Sequence, residues 1–494
     1  MGAGTCVLGE LYRTGFLSQF YLLLVLVDLG FLLTYFPKLN LWNRKEKKFL
    51  VLVSLLTGLF YLLPTPRHVY AGEFFDFQAG EIIAREQKFL FCSGFEGKRC
   101  VKYDLLAKPP GFQLLVSFLV KAGISAYTSA RLLNILFIFL STLLFYFISQ
   151  EILKNDKRSL IATLVFILLP QRVILQKTTT LAVSSLFFFL LFFYSFIRYR
   201  KRREKFGTVC ACLSYFINIR PENFILALPF VLYLLYFQKR GENWKIFLLI
   251  NLIFSALYQE ASGVMDEYRR ASTIPTKIHR LKTFFLPFFL AFFNPSQFNP
   301  AIPTFSLFGW RRWKIENFLL LALFLLSIVV YASFEHGSVT GTYGSRYSIL
   351  PATALLLIAL STSPQFLHFL LFSSLFLFPF YPALREKNMV DMMYELLAEK
   401  KLSLENYTTV FFDQPYLIHI FYPEKNVYRV FTLQNFKGRG IFFSVPWERK
   451  TEINPLCKLR KIKSFLLTEL EERNGKLVVY EVDCGSSGNE NSFT

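Results

Sequence analysis

The sequence predicts a polytopic α-helical membrane protein carrying a small C-terminal α/β domain outside the bilayer. Three observations predict it. Of 494 residues, 53% are hydrophobic and only 18% charged, against roughly 25% charged in a soluble domain, so much of the surface must face something other than water. Apolar runs recur from near residue 17 to near residue 381 with short polar segments between them, the pattern of successive membrane-spanning helices. From residue 382 onward the runs become short, β-branched and aromatic, as in 407–412, 427–431 and 477–482, which reads as strands of a domain of roughly 110 residues.

The order of elements follows from where positive charge falls. The net charge of +21 sits in short loops between apolar runs, a distribution that retains those loops in the cytoplasm, so the basic balance does not imply a nucleic-acid partner. The first run, 17–36, has no small-residue cleavage site and is followed by Lys45, Lys47 and Lys48, so it reads as a retained helix rather than a signal peptide. The densest basic cluster, from Arg198 through Arg200, Lys201, Arg202 and Arg203 to Lys205, anchors the cytoplasmic side. Lys154 to Arg158, Lys239 with Arg240, and Arg311 to Lys314 should lie on that same side.

These placements agree with about twelve crossings, at 17–36, 49–63, 131–150, 159–172, 181–197, 206–218, 223–238, 245–258, 281–294, 316–333, 346–362 and 365–381, with both termini and the loop 64–110 outside. The apolar segment 111–124 would invert the basic loops if it crossed, so it reads as an interfacial or re-entrant helix. Pro109 and Pro110 suit its first turn, where a missing amide hydrogen costs little. The domain organisation is thus a transmembrane part, 1–381, and an external part, 382–494.

Cysteine placement follows the same division. Cys92 and Cys100 fall in the 64–110 loop, and Cys457 and Cys484 in the C-terminal domain; if both regions are external, each pair can form a disulfide, the alternative being free buried thiols. Cys210 and Cys212 lie within a span and read as packed apolar thiols rather than a metal pair.

The candidate chemistry lies in the outer loop. Asp76 opens a stretch, 76–86, that reads as helical, with the carboxylate as N-terminal cap. Lys88, Lys98, Arg99 and Lys102 follow, before Lys108-Pro109-Pro110. By itself this composition also fits a solvated loop with ordinary surface charges.

The order of short motifs resembles a family. An acid after an early span, Ala84-Arg85-Glu86 eight residues on, and Lys108-Pro109-Pro110 leading into an apolar helix resemble the GT-C membrane glycosyltransferases, in particular the dolichyl-phosphate-mannose protein mannosyltransferase and aminoarabinose transferase-like branch. The likeness continues through Ala130-Arg131-Leu132-Leu133, Leu169-Pro170, Ile219-Arg220-Pro221-Glu222 and Ser345-Arg346-Tyr347, and covers roughly residues 49–381. The resemblance implies a GT-C-like fold, a polyprenyl-phosphate sugar donor, inverting transfer to a protein, lipid or glycan acceptor, and a site facing the periplasm or exterior of an inner or plasma membrane. It also implies that Asp76 matches the catalytic carboxylate, with Glu73 the fallback one turn away, and that Lys108 matches a basic residue near the donor phosphate. Two departures stand out: the span 17–36 precedes the usual first helix, and the connection 171–180 lacks the acid often present in relatives. The second leaves a divalent metal open as cofactor and assigns no metal ligand.

The chemistry needs these residue types. An acceptor hydroxyl attacking an anomeric carbon must lose a proton, which an ionised carboxylate within hydrogen-bond reach accepts. The leaving phosphate develops charge at the membrane edge, where cations stabilise it more strongly than in bulk water; Lys108, Arg346 and Arg220 are the candidates. Each has a plainer reading: Arg220 can pair with Glu222 at a helix end, and Arg346-Tyr347 can be an interfacial anchor. The loop 259–282 holds Arg269, Arg270, Lys277 and His279, whose positive excess suits a mobile cover over an anionic donor or acceptor, unless the crossing count errs by one there. The alternative function is a transporter or flippase of lipid-linked saccharides, which needs polar residues near the midplane; the predicted spans look nearly free of them.

Overall fold

The computed structural model describes residues 16–35, 47–63, 65, 67, 73–104, 108–237, 242–261, 274–333, 341–381, 389–399, 404, 406–412, 414–429, 436, 438–444, 457–466 and 476–484. In chain order these form helices α1 (Phe16–Tyr35), α2 (Lys47–Tyr61) and α3 (Glu73–Glu86), and strands β1 (Phe91–Glu96) and β2 (Arg99–Asp104). Helices α4 (Gly111–Lys121), α5 (Ala126–Leu153), α6 (Asp156–Ile167), α7 (Pro170–Leu175), α8 (Leu181–Arg200), α9 (Phe206–Ile217) and α10 (Asn223–Phe237) follow. Next come α11 (Glu242–Ala261), α12 (Ile274–Ala291), α13 (Ala301–Phe308), α14 (Ile315–Ser333), α15 (Gly341–Thr362), α16 (Leu367–Leu377) and α17 (Met389–Ala398). The remainder is β3 (Thr409–Phe411), α18 (Pro415–Phe421), β4 (Asn426–Tyr428), β5 (Gly438–Ser444), β6 (Cys457–Leu466) and β7 (Lys476–Cys484). The chain divides into two compact units, Met1–Val69 with Ala107–Glu386, and Tyr70–Leu106 with Lys387–Thr494.

The helical unit is built from apolar runs. Five described helices are long and apolar enough to cross a membrane, within α1, α5, α8, α14 and α15, and shorter apolar helices accompany them. A helix apolar on every side belongs in a bundle's interior, and α8 meets that description: Leu181 through Ile197 are all buried. Its phenylalanines interlock with neighbouring helices, Phe137 stacking on Phe187 at 4.8 Å and Phe192 meeting Phe230 edge-on at 5.0 Å, geometries that add to simple area burial. Leu55, Leu59, Leu232, Phe372 and Phe376 stand exposed on the unit's outside, which suits acyl chains and not water.

Each predicted span has a helix. The run 159–172 divides into α6 and α7 at Pro170, whose ring cannot follow a preceding helical turn. The segment 259–282 is less loop-like than expected, because α12 begins at Ile274 and takes Pro275 into its first turn, a position where proline is tolerated.

Ion pairs collect the basic turns at one end. Glu151 meets Lys201 at 2.7 Å and Arg203 at 3.5 Å, and Arg200 meets Glu316 at 3.2 Å, so the turns after α5 and α8 and the start of α14 share that end. Residues 239 and 240 lie outside the described residues.

The second unit is a mixed seven-stranded sheet in the order β2-β1-β4-β3-β5-β7-β6. β3 runs parallel to β4 and β5, and the other pairings are antiparallel. Here the sequence-based division needs correction: β1 and β2 come from the loop assigned to the transmembrane part, yet Gly94 and Phe95 pair with Tyr428 and Val427. The hairpin supplies one edge of a sheet that the C-terminal chain continues. Phe411, Phe442, Val482 and Cys484 form a buried cluster, and disulfides join Cys92 to Cys100 and Cys457 to Cys484. Cys210 and Cys212 are free and buried in the helical unit.

Candidate functional site

Two of the proposed cations, Arg220 and Arg346, meet where α9, α10, α14 and α15 approach one another. α9 ends at Ile217 and the chain turns through Asn218-Ile219-Arg220-Pro221-Glu222 before α10. Arg220 is 5% exposed. Its Nη1 donates to the Arg346 carbonyl oxygen at 2.8 Å, and its Nη2 donates to Glu222. Arg346, 7% exposed, donates to the hydroxyl of Tyr347 and lies 4.4 Å from that ring's centroid, while Arg220 lies 5.6 Å from it. Tyr331 of α14 packs on Tyr347 with centroids 4.7 Å apart. Two guanidinium groups from segments 126 residues apart are therefore brought together, and the plainer expectation that Arg220 pairs with Glu222 is also realised.

Lys108 is tied to this turn through the backbone. Gly111 donates its amide hydrogen to the Asn218 carbonyl at 3.0 Å, and Tyr215 donates its hydroxyl hydrogen to the Gly111 carbonyl at 2.9 Å. A Cβ at position 111 would stand 2.4 Å from the Asn218 oxygen, so the approach requires glycine. The chain three residues after half-buried Lys108 is thus fixed to the chain two residues before Arg220.

The two candidate carboxylates belong to the sheet unit. α3 begins at Glu73, so Asp76 is not the helix cap expected from sequence but lies within the first turn. Glu73 and Asp76 are both fully buried, and their spacing of three places them on one helix face. Farther along α3, Glu81 accepts from the Tyr416 hydroxyl at 2.6 Å and pairs with Arg85 at 2.7 Å. Burial pushes the Tyr416 phenol well above its ordinary range, with the Glu81 charge adding to the effect. Of the proposed cover residues, Arg269 and Arg270 lie outside the described residues, Lys277 falls in α12, and His279 is exposed on α12. Among the described residues, no three His, Cys, Asp or Glu side chains are grouped as a metal would require.

Sequence reasoning missed a polar cluster inside the helical unit. Asp28 of α1 accepts from Asn218 at 2.7 Å and from Asn251 of α11 at 3.1 Å, and Tyr21 donates to Asn218 at 2.6 Å. The additional first helix is thereby joined to the Asn218 turn that receives Gly111. A lone acid within a largely apolar helix of twenty residues was the available signal, because an ionisable group at such a position needs a partner. Arg172 was missed as well: it is 1% exposed on α7. The expectation that the spans are nearly free of buried polar groups is corrected by these residues.

Fold and site together define a polytopic α-helical membrane protein with a strand-rich domain outside the helical core. No family model matches the chain, and no curated protein matches it. Among solved structures, ArnT from Cupriavidus metallidurans in the apo state aligns with a TM-score of 0.50 at 11% identity, covering 88% of this chain and 98% of that one. The same protein bound to undecaprenyl phosphate gives 0.49 at 12% identity, with 88% and 98% covered. An oligosaccharyltransferase of Archaeoglobus fulgidus, in complex with Zn and sulfate, gives 0.43 at 13% identity, with 80% of this chain and 67% of that one covered. At these identities the likeness is one of fold alone, and it rests on the alignment with apo ArnT.

Proposed function

We propose that this chain is an integral membrane glycosyltransferase that takes a sugar from a polyprenyl-phosphate donor and passes it, with inversion, to a hydroxyl of a protein, lipid or glycan. The reading is carried by the meeting of two buried guanidinium groups, Arg220 and Arg346, with the segment bearing Lys108 bonded to the same turn. Buried cations stabilise a developing phosphate charge more strongly than exposed ones. Asp76 is the general base. It takes the proton of the acceptor hydroxyl as that oxygen bonds to the anomeric carbon; the bond from that carbon to the phosphate oxygen breaks, and its electron pair leaves on the phosphate. Glu73, one turn earlier, is the alternative base. Arg269, Arg270, Lys277 and His279 are assigned to a cover over the donor or acceptor.

The same reading places the protein in an inner or plasma membrane, with its site and strand-rich domain toward the periplasm or exterior. Two disulfides in the sheet unit support that side, since such bonds persist in oxidising compartments, and so does the clustering of basic turns at one end of the bundle.

A second reading, transport or flipping of lipid-linked saccharides, gains from Asp28 and Arg172, polar groups inside the bundle of the kind a transporter uses. Liposome reconstitution with a panel of polyprenyl-phosphate sugars and mixed acceptors separates the two. The first reading expects new glycoside and released polyprenyl phosphate. Donor redistribution between leaflets without glycoside would overturn it in favour of the second.

A further inference from the structure

Arg172 is a buried guanidinium with too few partners. Its Nη2 donates to Thr142 Oγ1 of α5 at 3.1 Å, while Nε and Nη1 are buried without a hydrogen-bond partner among the described residues. No described carboxylate forms an ion pair with it. Arginine keeps its proton in proteins, so the charge cannot be relieved by neutralisation. An uncompensated buried charge is among the most destabilising features a fold can carry. Such a feature is expected where stability is given up for a binding function.

The position is deep. At 1.5 Å per residue, Thr142 lies about 16 Å along α5 from Leu153 and about 24 Å from Ala126, well inside a helix long enough to span the bilayer. One more group on α5, the Ser141 hydroxyl, is also buried without a hydrogen-bond partner among the described residues and is able to donate. Toward the other end of α5 from the basic turns stand Arg131 and Lys177. Lys177 is drawn below its ordinary range by burial and then by the charges of Arg67 and Arg131. The α5–α7 side of the helical unit thus concentrates positive charge at two depths.

We propose that Arg172 anchors an internal oxyanion site that takes a phosphate group, either on a lipid or free in solution. The site is separate from the Arg220–Arg346 cluster and stands whether or not that cluster holds a sugar donor. Phosphate oxygens would accept from Nε and Nη1, and the Thr142 contact orients the guanidinium.

The test is thermal unfolding of the full-length protein in nanodiscs of zwitterionic lipid, alone and with inorganic phosphate, a short-chain polyprenyl phosphate or the neutral polyprenol. Wild type should be stabilised by inorganic phosphate, by the lipid phosphate, or by both, and not by the polyprenol; which of the two phosphates acts identifies the source. Without ligand, Arg172→Met should raise the unfolding temperature by about 2 °C or more, and placed in the Arg346→Gln protein it should remove most of the phosphate response that remains there, with Arg172→Lys retaining part of it. Arg346→Gln should keep the response, separating this site from the donor site. A lowered unfolding temperature for Arg172→Met together with an unchanged phosphate response would make Arg172 structural and overturn the proposal. If Arg172→Met does not fold, Arg172→Lys in the Arg346→Gln protein decides: a phosphate response weaker than that of Arg346→Gln alone supports the site, and an equal response rejects it.

Discussion

At the scale of single residues, the charged groups of the helical unit are held by contacts that make their substitution informative. Glu222 is the carboxylate that Arg220 contacts, and both side chains are largely shielded, at 12% and 6% exposed. Removing one member of a buried pair leaves the other uncompensated, so Glu222→Gln should cost about 3 kcal/mol of stability, measured by thermal or denaturant unfolding in detergent. An unchanged midpoint would show that the guanidinium is satisfied without that charge. Individual residues were unevenly legible in the sequence. Arg220 and Arg346 stood out because each sits in a polar break between apolar runs. Asp28 was visible as a lone acid, yet its partners lie 190 and 223 residues away, and no local pattern points to them. Arg172 stood at the end of a predicted span, and only tertiary packing shows that the chain folds it inward.

At the scale of elements, hydrophobic runs located the helices well, because lipid-facing and core-facing positions both demand apolar side chains and leave little alternative to helix. Some boundaries were missed at proline, in the break before α7 and the early start of α12, and others where polar turns extend a helix ahead of its apolar run, as at α5, which begins at Ala126, and α15, which begins at Gly341. The 91–104 hairpin was not legible because strand partners are chosen by distant sequence, and β1 joins β4 more than 300 residues later. Two elements lend themselves to direct tests. Gly111→Ala would drive a methyl group into the Asn218 carbonyl and should displace the start of α4, costing about 1–3 kcal/mol and lowering donor turnover more than Ala substitution at half-buried Gly97 in the hairpin turn. Equal effects at the two positions would show that the docking of α4 is unimportant. In the sheet, Cys457 and Cys484 face each other across β6 and β7. The double substitution Cys457→Ser with Cys484→Ser should cost about 3 kcal/mol, seen as earlier loss of sheet signal in the full-length protein under non-reducing conditions, with no difference expected once the wild type is reduced.

At the scale of the whole molecule, two units divide the work. A helical unit whose apolar exterior suits acyl chains brings Arg220 and Arg346 together and fixes the segment after Lys108 to the same turn, and a sheet unit carries the two candidate carboxylates on α3. The sequence revealed this division only in part, since a loop between two early helices supplies the carboxylates while the C-terminal chain supplies most of the sheet beside them. The function proposed depends on Asp76 acting as a base toward an acceptor hydroxyl. The most direct measurement is sugar transfer by the reconstituted protein, comparing wild type with Asp76→Asn under saturating polyprenyl-phosphate donor, with donor binding followed separately. Loss of a general base should reduce turnover by about 10²–10⁴-fold while leaving donor affinity within a few-fold of wild type. Turnover equal to wild type in Asp76→Asn would contradict the assignment of Asp76.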